Sequence, residues 1–144
     1  MLHRYDLDQD QEVQTVQLYA QGDQHISLEA GGGQIWAAGT RDSELIRIDS
    51  ASGLILDRIE VGQLPIDLFA SENTLWVASR NSDTITAFSI DNGERVGEFT
   101  VEGSPSSITY VSCGTNCGDL WVTSERNGSV NRIPLDGVLS TLAN

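Results

Sequence analysis

The sequence of 144 residues predicts an all-β protein built from a repeated unit of four strands. The first observation is that each of the three tryptophans closes an Ile-Trp or Leu-Trp pair, and the interval from Trp36 to Trp76 gives a period of about 40 residues, typical of repeat architectures. The second is that Pro65 and Pro105 follow their preceding tryptophans at the same interval. The third is that runs rich in Val, Ile, Thr and aromatic residues alternate with clusters of Gly, Asn, Asp and Ser, as in short strands joined by turns.

Each unit divides into four predicted strands, and Asn-Gly pairs at Asn92 and Asn127 predict tight turns between some of them. Residues 2–18 match the third and fourth strands of the next unit when Arg4 is aligned with Arg47. We therefore expect the chain to begin with half a unit. The predicted strands of the three full units are 26–29, 34–38, 45–49 and 54–61, then 66–69, 74–78, 84–90 and 95–101, then 107–111, 119–123, 129–135 and 138–142.

The strands differ by their rank within the unit. The second strands QIWAA and TLWVA carry no charge, which predicts burial on both faces, with each Trp packed between neighbouring units. The fourth strands alternate apolar and charged residues, Ile59 and Val61 with Arg58 and Glu60, which predicts that one face is exposed to solvent. Four strands in this order of burial are typical of a β-propeller blade. We therefore predict one domain, 1–144, with a half blade at 2–18 and blades at about 26–61, 66–101 and 107–142.

Residues 62–103 and the preceding valine carry the pattern VG-x-x-P, then LWVA-x-x-x-SDTI, then a later Gly. This pattern resembles the bacterial β-propeller repeats of the YVTN, NHL and virginiamycin B lyase-like group. The resemblance implies a ring of six to eight blades, whereas this chain supplies about three and a half. We therefore expect a partial propeller closed by a partner chain or by a missing segment. If two copies close the ring, residues 2–18 and 129–142 should form an interface larger than ~1,000 Å².

The composition excludes some partners. The formal net charge is −13 and lysine is absent, so the surface repels phosphate backbones, and nucleic-acid binding is not expected. No apolar run approaches the length of a membrane-spanning helix, so membrane insertion is not expected either.

Cys113 and Cys117 lie in a Gly- and Asn-rich insert of the third unit. A zinc site would need two further ligands, and the two histidines, His3 and His25, are far away in sequence. We predict a disulfide that closes this loop, with a pair of free thiols as the alternative. The disulfide would place the protein in an oxidising, extracytoplasmic compartment.

The candidate ligand-binding residues are Arg41, Arg80 and Arg126, one in each repeat, in loops expected at one face of the propeller. A ring of arginines could hold a carboxylate or phosphate by paired hydrogen bonds. The alternative is that each Arg pairs with an acid of its own loop: Asp42, Asp83 or Glu125. The sequence leaves both interpretations open.

One catalytic candidate is His25, near the mouth of an inner strand. In the virginiamycin B lyase-like proteins a histidine near the central opening acts with Mg²⁺, but here only the one histidine matches. Glu29 and Asp67 are candidate channel acids, and the acidic turn at 6–12 lacks the full spacing of a Ca²⁺ loop. We predict no cofactor, with Ca²⁺ or Mg²⁺ as the open alternative.

The leading functional hypothesis is a non-enzymatic, extracytoplasmic propeller module for structure or protein interaction. It rests on a complete repeat scaffold without a convergent catalytic set. The alternatives are a metal-dependent lyase-like enzyme that uses His25, and a propeller that binds a small ligand or sugar.

Overall fold

The computed structural model describes residues 1–19, 26–71, 73–114 and 117–135, and all regular secondary structure in these ranges is β-strand. A two-stranded sheet, the half blade, comes first, followed by blades A, B and C. The half blade consists of β1 (Leu2–Asp6) and β2 (Gln11–Val16); blade A of β3 (Ile26–Gly31), β4 (Gln34–Gly39), β5 (Glu44–Asp49) and β6 (Ile55–Glu60); blade B of β7 (Pro65–Ser71), β8 (Thr74–Ser79), β9 (Thr84–Ser89) and β10 (Arg95–Thr100); and blade C of β11 (Pro105–Gly114), β12 (Cys117–Ser124) and β13 (Ser129–Pro134). The predicted fourth strand of blade C, 138–142, lies outside the described residues.

The blades have propeller topology. Within each blade the strands are antiparallel and follow one another in chain order. The first strands of successive blades, β3, β7 and β11, lie side by side, so the blades share a common inner side. The prediction of an all-β partial propeller is therefore confirmed.

The half blade has the register of the outer strands of blade A. Leu2 pairs with Val16 and Arg4 with Gln14, as Leu45 pairs with Ile59 and Arg47 with Asp57. The register shifts directly after Arg4 and directly after Arg47. Because a one-residue slip would invert every side chain, this agreement confirms the predicted alignment of the half unit with blade A.

The backbone conformation of the loops also repeats from one unit to the next. Ser43 and Asp83, one repeat apart, both have φ 53°, and Leu64 and Ser104 have φ 56° and 62°. Positive φ is uncommon outside glycine, so its recurrence at these positions shows that the connections repeat as closely as the strands.

Each blade has a forward face, which points to the next blade along the chain, and a rear face. The forward side chains Trp36, Ala38 and Leu45 of blade A form one core with the rear side chains of blade B: Leu68, Leu75, Val77 and Phe88. Trp76 and its neighbours on blade B form the next core with Ile108, Leu120 and Val122 of blade C. Burial of large apolar and aromatic surface in these cores stabilises the stack.

The prediction that every Trp packs between neighbours is wrong for Trp121. Trp36 and Trp76 are completely buried, whereas the Trp121 side chain is 37% exposed. Trp121 lies on the forward face of blade C, and the described residues place no further blade against that face. The same sequence pattern therefore has a different environment, because a forward Trp is buried only by the blade that follows.

The insert in the third unit extends the inner hairpin. Strands β11 and β12 run to Gly114 and from Cys117, beyond the predicted limits of 111 and 119. The predicted Cys113–Cys117 disulfide is present, with a Cα–Cα distance of 5.2 Å. The Tyr110 hydroxyl donates a hydrogen bond to the Cys117 carbonyl over 3.1 Å, which adds a second link across the hairpin.

Leu18 and Tyr19 attach the segment after β2 to blade A. The Tyr19 hydroxyl donates to the Glu44 carbonyl over 3.2 Å, and the Arg58 guanidinium donates to the Leu18 carbonyl over 2.7 Å. Burial, followed by the nearby Glu44 carboxylate, raises the pKa of Tyr19 to about 12 from an ordinary value of 10.0.

Alkaline pH should therefore loosen this attachment. The folded state holds the Tyr19 proton more tightly than the unfolded state, so the stabilisation is complete below pH 10 and is lost as the pH rises towards about 12. Because the chain has no lysine, few other groups titrate in this window. Urea unfolding at both ends of the window should show a loss of stability for the wild type that Tyr19→Phe lacks. An equal loss in both proteins would contradict this account.

Candidate functional site

The arginine loops of blades B and C meet in a cleft of about 490 Å³ lined by Leu64, Arg80, Asn81, Ser104, Glu125 and Arg126. Arg80 of blade B forms an ion pair with Glu125 of blade C. In the opposite direction, Arg126 Nη1 of blade C lies 3.9 Å from Asp83 Oδ2 of blade B. The structure therefore brings two of the three predicted arginines together.

These ion pairs connect different blades, whereas the alternative in the sequence analysis paired each Arg within its own loop. That alternative is wrong for Arg80 and Arg126, because the carboxylate partner of each lies in the loop of the neighbouring blade. Asp83 also accepts a hydrogen bond from the Ser104 backbone amide over 2.8 Å. Exposed ion pairs contribute little stability individually, so their main effect is to set the relative position of the two loops.

The charges of the cleft are balanced. Arg80 and Arg126 each face a carboxylate, and Arg41, which lies outside this cleft, also has an interaction partner. An anionic ligand would have to compete with Glu125 and Asp83 for the two guanidinium groups. Ligand binding at Arg41, Arg80 and Arg126 stays a prediction.

The catalytic candidate His25 lies outside the described residues. Within the described ranges, no three His, Cys, Asp or Glu side chains converge into a group that could hold a metal ion. At the acidic turn, Asp6 Oδ1 accepts hydrogen bonds from the backbone amides of Asp8 and Gln9 over 2.9 and 3.1 Å, which is the hydrogen bonding of an Asx turn.

Asp67, a predicted channel acid, links blades B and C. Its Oδ2 atom accepts hydrogen bonds from the Ser107 hydroxyl over 2.9 Å and from the Ile108 backbone amide over 2.8 Å. Oδ1 accepts from the Leu68 amide over 3.1 Å. Asp67 and Ser107 occupy equivalent positions of successive repeats, and this contact between inner strands was not visible in the sequence.

Glu29, the other predicted channel acid, lines a groove of about 660 Å³ between the half blade and blade A. The apolar wall of this rear groove is formed by Leu2, Val16, Leu28, Ala30, Ile35 and Ile48. Arg4, at its rim, donates hydrogen bonds to the carbonyls of Ser50 and Ala51 over 3.3 and 3.0 Å. The groove could have been predicted from the half unit in the sequence, because a half blade covers only half of the neighbouring blade.

The forward face of blade C is the second open surface, and we call it the Trp121 face. Its exposed apolar side chains are Val111, Trp121 and Val130, and it also carries Arg132, which forms an ion pair with Asp119. Arg132 pairs with Trp121 in the strand register, as Arg47 pairs with Trp36. In blade A the Arg47 guanidinium lies 5.9 Å from the Trp36 ring centroid and packs against the Gly93 turn of blade B. The Trp121 face therefore has the same pair, a Trp on the second strand opposite an Arg on the third, that blade A uses in its contact with blade B.

Over the described residues, no helix is long and apolar enough to span a membrane.

Solved structures with a similar fold have sequences of low identity to this chain. The chain superimposes on Saccharomyces cerevisiae Sqt1 with a TM-score of 0.71 and 9% identity, covering 92% of this chain and 38% of that chain. It matches a structure of BBS1N in complex with ARL6DN with a TM-score of 0.67 and 18% identity, covering 90% and 42%. It also matches Kuenenia stuttgartiensis hydrazine synthase with a TM-score of 0.55 and 18% identity, covering 83% and 38%. No family model and no curated protein matches the sequence.

These matches define the class of fold. The chain has the fold of a partial β-propeller, and it spans less than half the length of the chains it matches. At identities this low the likeness concerns the fold alone, because one propeller scaffold supports many unrelated functions. The YVTN, NHL and lyase-like assignment remains a prediction.

Proposed function

We propose that the chain is a non-enzymatic, extracytoplasmic propeller module for structure or protein interaction, and that its Trp121 face is covered by a second copy. The observation that carries this proposal is the difference between the three equivalent tryptophans, of which only Trp121 is exposed. A partly exposed Trp beside two exposed valines is typical of an interface, where large aromatic side chains contribute most of the binding energy.

The half blade offers a surface for this contact. Its rear side carries the exposed Tyr5, and in a ring that side would face the forward face of a preceding blade. A contact between the Trp121 face of one copy and residues 2–18 of the other, made twice, gives a closed twofold dimer. This is the arrangement expected from the sequence for residues 2–18 and 129–142.

The extracytoplasmic location is supported by the Cys113–Cys117 disulfide, since such bonds persist in oxidising compartments. Thiol titration of the denatured, unreduced protein from its native source should detect no free thiol. Two titratable thiols would remove this support.

Sedimentation velocity tests the dimer. At micromolar concentration the wild-type chain should sediment with twice the chain mass of 15.6 kDa. Trp121→Glu should yield a folded monomer, because it removes the central aromatic side chain of the contact and introduces a charge that association has to desolvate. Tyr5→Glu should weaken the same contact from the other side.

The matched control is Leu54→Glu, which replaces a 66% exposed apolar side chain in the β5–β6 turn of blade A, outside residues 2–18 and outside the Trp121 face. This variant should remain a dimer. A wild-type chain that sediments as a folded monomer, or a Trp121→Glu chain that remains a dimer, would contradict the proposal.

A further inference from the structure

The rear groove exposes apolar side chains that are buried at the equivalent positions of the other blades. The equivalent position on the first strand of each blade is Leu28 in blade A, Leu68 in blade B and Ile108 in blade C. The exposed fractions are 47% for Leu28, 4% for Leu68 and 5% for Ile108. In blades B and C, the side chain is covered by the inner strands of the preceding blade, through Trp36 and Trp76.

The groove continues an interface that is already half formed. On the outer half of the rear face of blade A, Ile46 and Ile48 are buried by Leu18 and Tyr19, with Leu2 and Val16 packed against them. On the inner half, Leu28, Ala30 and Ile35 face the open groove. The apolar rear face of blade A therefore continues beyond the edge of the half blade. The half blade and the segment after it cover only its outer half.

The edge of the half blade provides backbone partners for that cover. In the described part of the chain, β1 pairs with β2 alone, whereas the equivalent strands β5 and β9 pair on both sides, with β4 and β8 on the inner side. An unpaired strand edge beside an apolar groove is the geometry of strand addition, in which main-chain hydrogen bonds give affinity and side-chain pockets give specificity.

We propose that the rear groove is a docking site for one antiparallel β-hairpin of the inner-strand type. The second strand of this hairpin pairs with the free edge of β1, and its forward side chains, including a Trp or a similar large apolar residue, cover Leu28 and Ile35. Its composition is that of β3–β4 and β7–β8: apolar, uncharged on the second strand and closed by a short turn. The inference deepens the proposed function, because it names what completes the half blade.

The experiment supplies the hairpin from this chain's own sequence. Residues 65–83, which contain β7, β8 and the loop that enters β9, are grafted directly before Met1, because Met1 occupies the position of Thr84 in the repeat. The graft is made in the Trp121→Glu background, so that its effect is measured without dependence on the proposed dimer. The readout is the midpoint of urea unfolding, with and without Leu28→Ala.

We expect the graft to raise the urea midpoint, and we expect Leu28→Ala to lower it more in the grafted chain than in the parent chain. The matched control is the same graft with its copy of Trp76 replaced by Ala, which should lose most of the gain. An unchanged or lower midpoint, with the same effect of Leu28→Ala in both chains, would overturn the proposal.

A second copy could cover the groove instead. In that case Leu28→Asp in the otherwise wild-type chain would abolish self-association measured by sedimentation, and this result would overturn the hairpin assignment. Under the proposal, Leu28→Asp leaves the dimer at the Trp121 face intact and removes only the benefit of the graft. Failure of the dimer itself, with a successful graft, would overturn the proposed function and leave the docking site standing.

Discussion

Trp76→Ala is expected to lower the free energy of unfolding by about 3–5 kcal/mol, the range for removing a completely buried aromatic side chain. Trp76 fills the core between blades B and C, together with Ile85, Leu120 and Val122, so its removal leaves a cavity that these side chains can close only in part. Its ring also lies 6.1 Å from that of Phe99, a contact that the substitution removes. Urea unfolding, followed by far-ultraviolet circular dichroism at a concentration where the chain is monomeric, measures the effect.

The matched variant is Trp121→Ala, the same substitution at the equivalent position of the next blade. Its expected cost is about 1 kcal/mol or less, because the side chain is partly exposed and no following blade packs on it in the described part of the chain. Similar losses in the two variants would mean that Trp121 is packed as Trp76 is, and would contradict the assignment of an open forward face.

Asp67→Ala is expected to have the second largest effect, a loss of about 1–3 kcal/mol of unfolding free energy. The substitution leaves the Ile108 backbone amide without its acceptor and removes the hydrogen bond from Ser107, the two contacts by which Asp67 joins the inner strands of blades B and C. The cost arises mainly from the unsatisfied amide, since an unpartnered polar group is expensive where water does not reach it.

Asp91→Ala serves as the control for charge. It removes the same carboxylate from an exposed turn of the same blade, and should change stability by no more than about 0.5 kcal/mol. Equal effects at the two positions would show that net charge, rather than the link between the inner strands, determines the loss at Asp67.

The fold could be predicted from the sequence because the information is periodic. Recurrence of Trp36 at Trp76 defined the blades, and the alignment of Arg4 with Arg47 predicted that residues 2–18 match the outer strands of blade A. The structure adds that the two strand pairs share one register and one irregularity. Burial of the second strand followed from its lack of charge, and β8 is buried at every position. The limits of the blades and the burial of the second strand depend on residue patterns within one repeat, and these patterns can be read from the sequence.

The candidate sites could be predicted less well because they depend on contacts between blades. The sequence places Arg80 near Asp83 of its own loop, but the partner of Arg80 is Glu125 of the next blade. Asp67 resembles any polar residue on an inner strand until the structure places Ile108 beside it. Likewise, the residues around Trp121 resemble those around Trp36 and Trp76. The sequence pattern of a blade therefore does not show whether another blade packs against its Trp.

The central claim is that each Trp closes the interface with a following blade and that, in the described part of the chain, Trp121 lacks one. Fluorine NMR of the chain labelled with 5-fluorotryptophan tests it most directly, since the three resonances report the water exposure of the three side chains in one intact protein. In dilute, monomeric samples we expect a solvent isotope shift between H₂O and D₂O for Trp121 and none for Trp36 or Trp76. The Trp121 shift should disappear at concentrations at which the chain dimerises. A monomer in which all three resonances are equally protected from solvent, or equally exposed to it, would contradict the account.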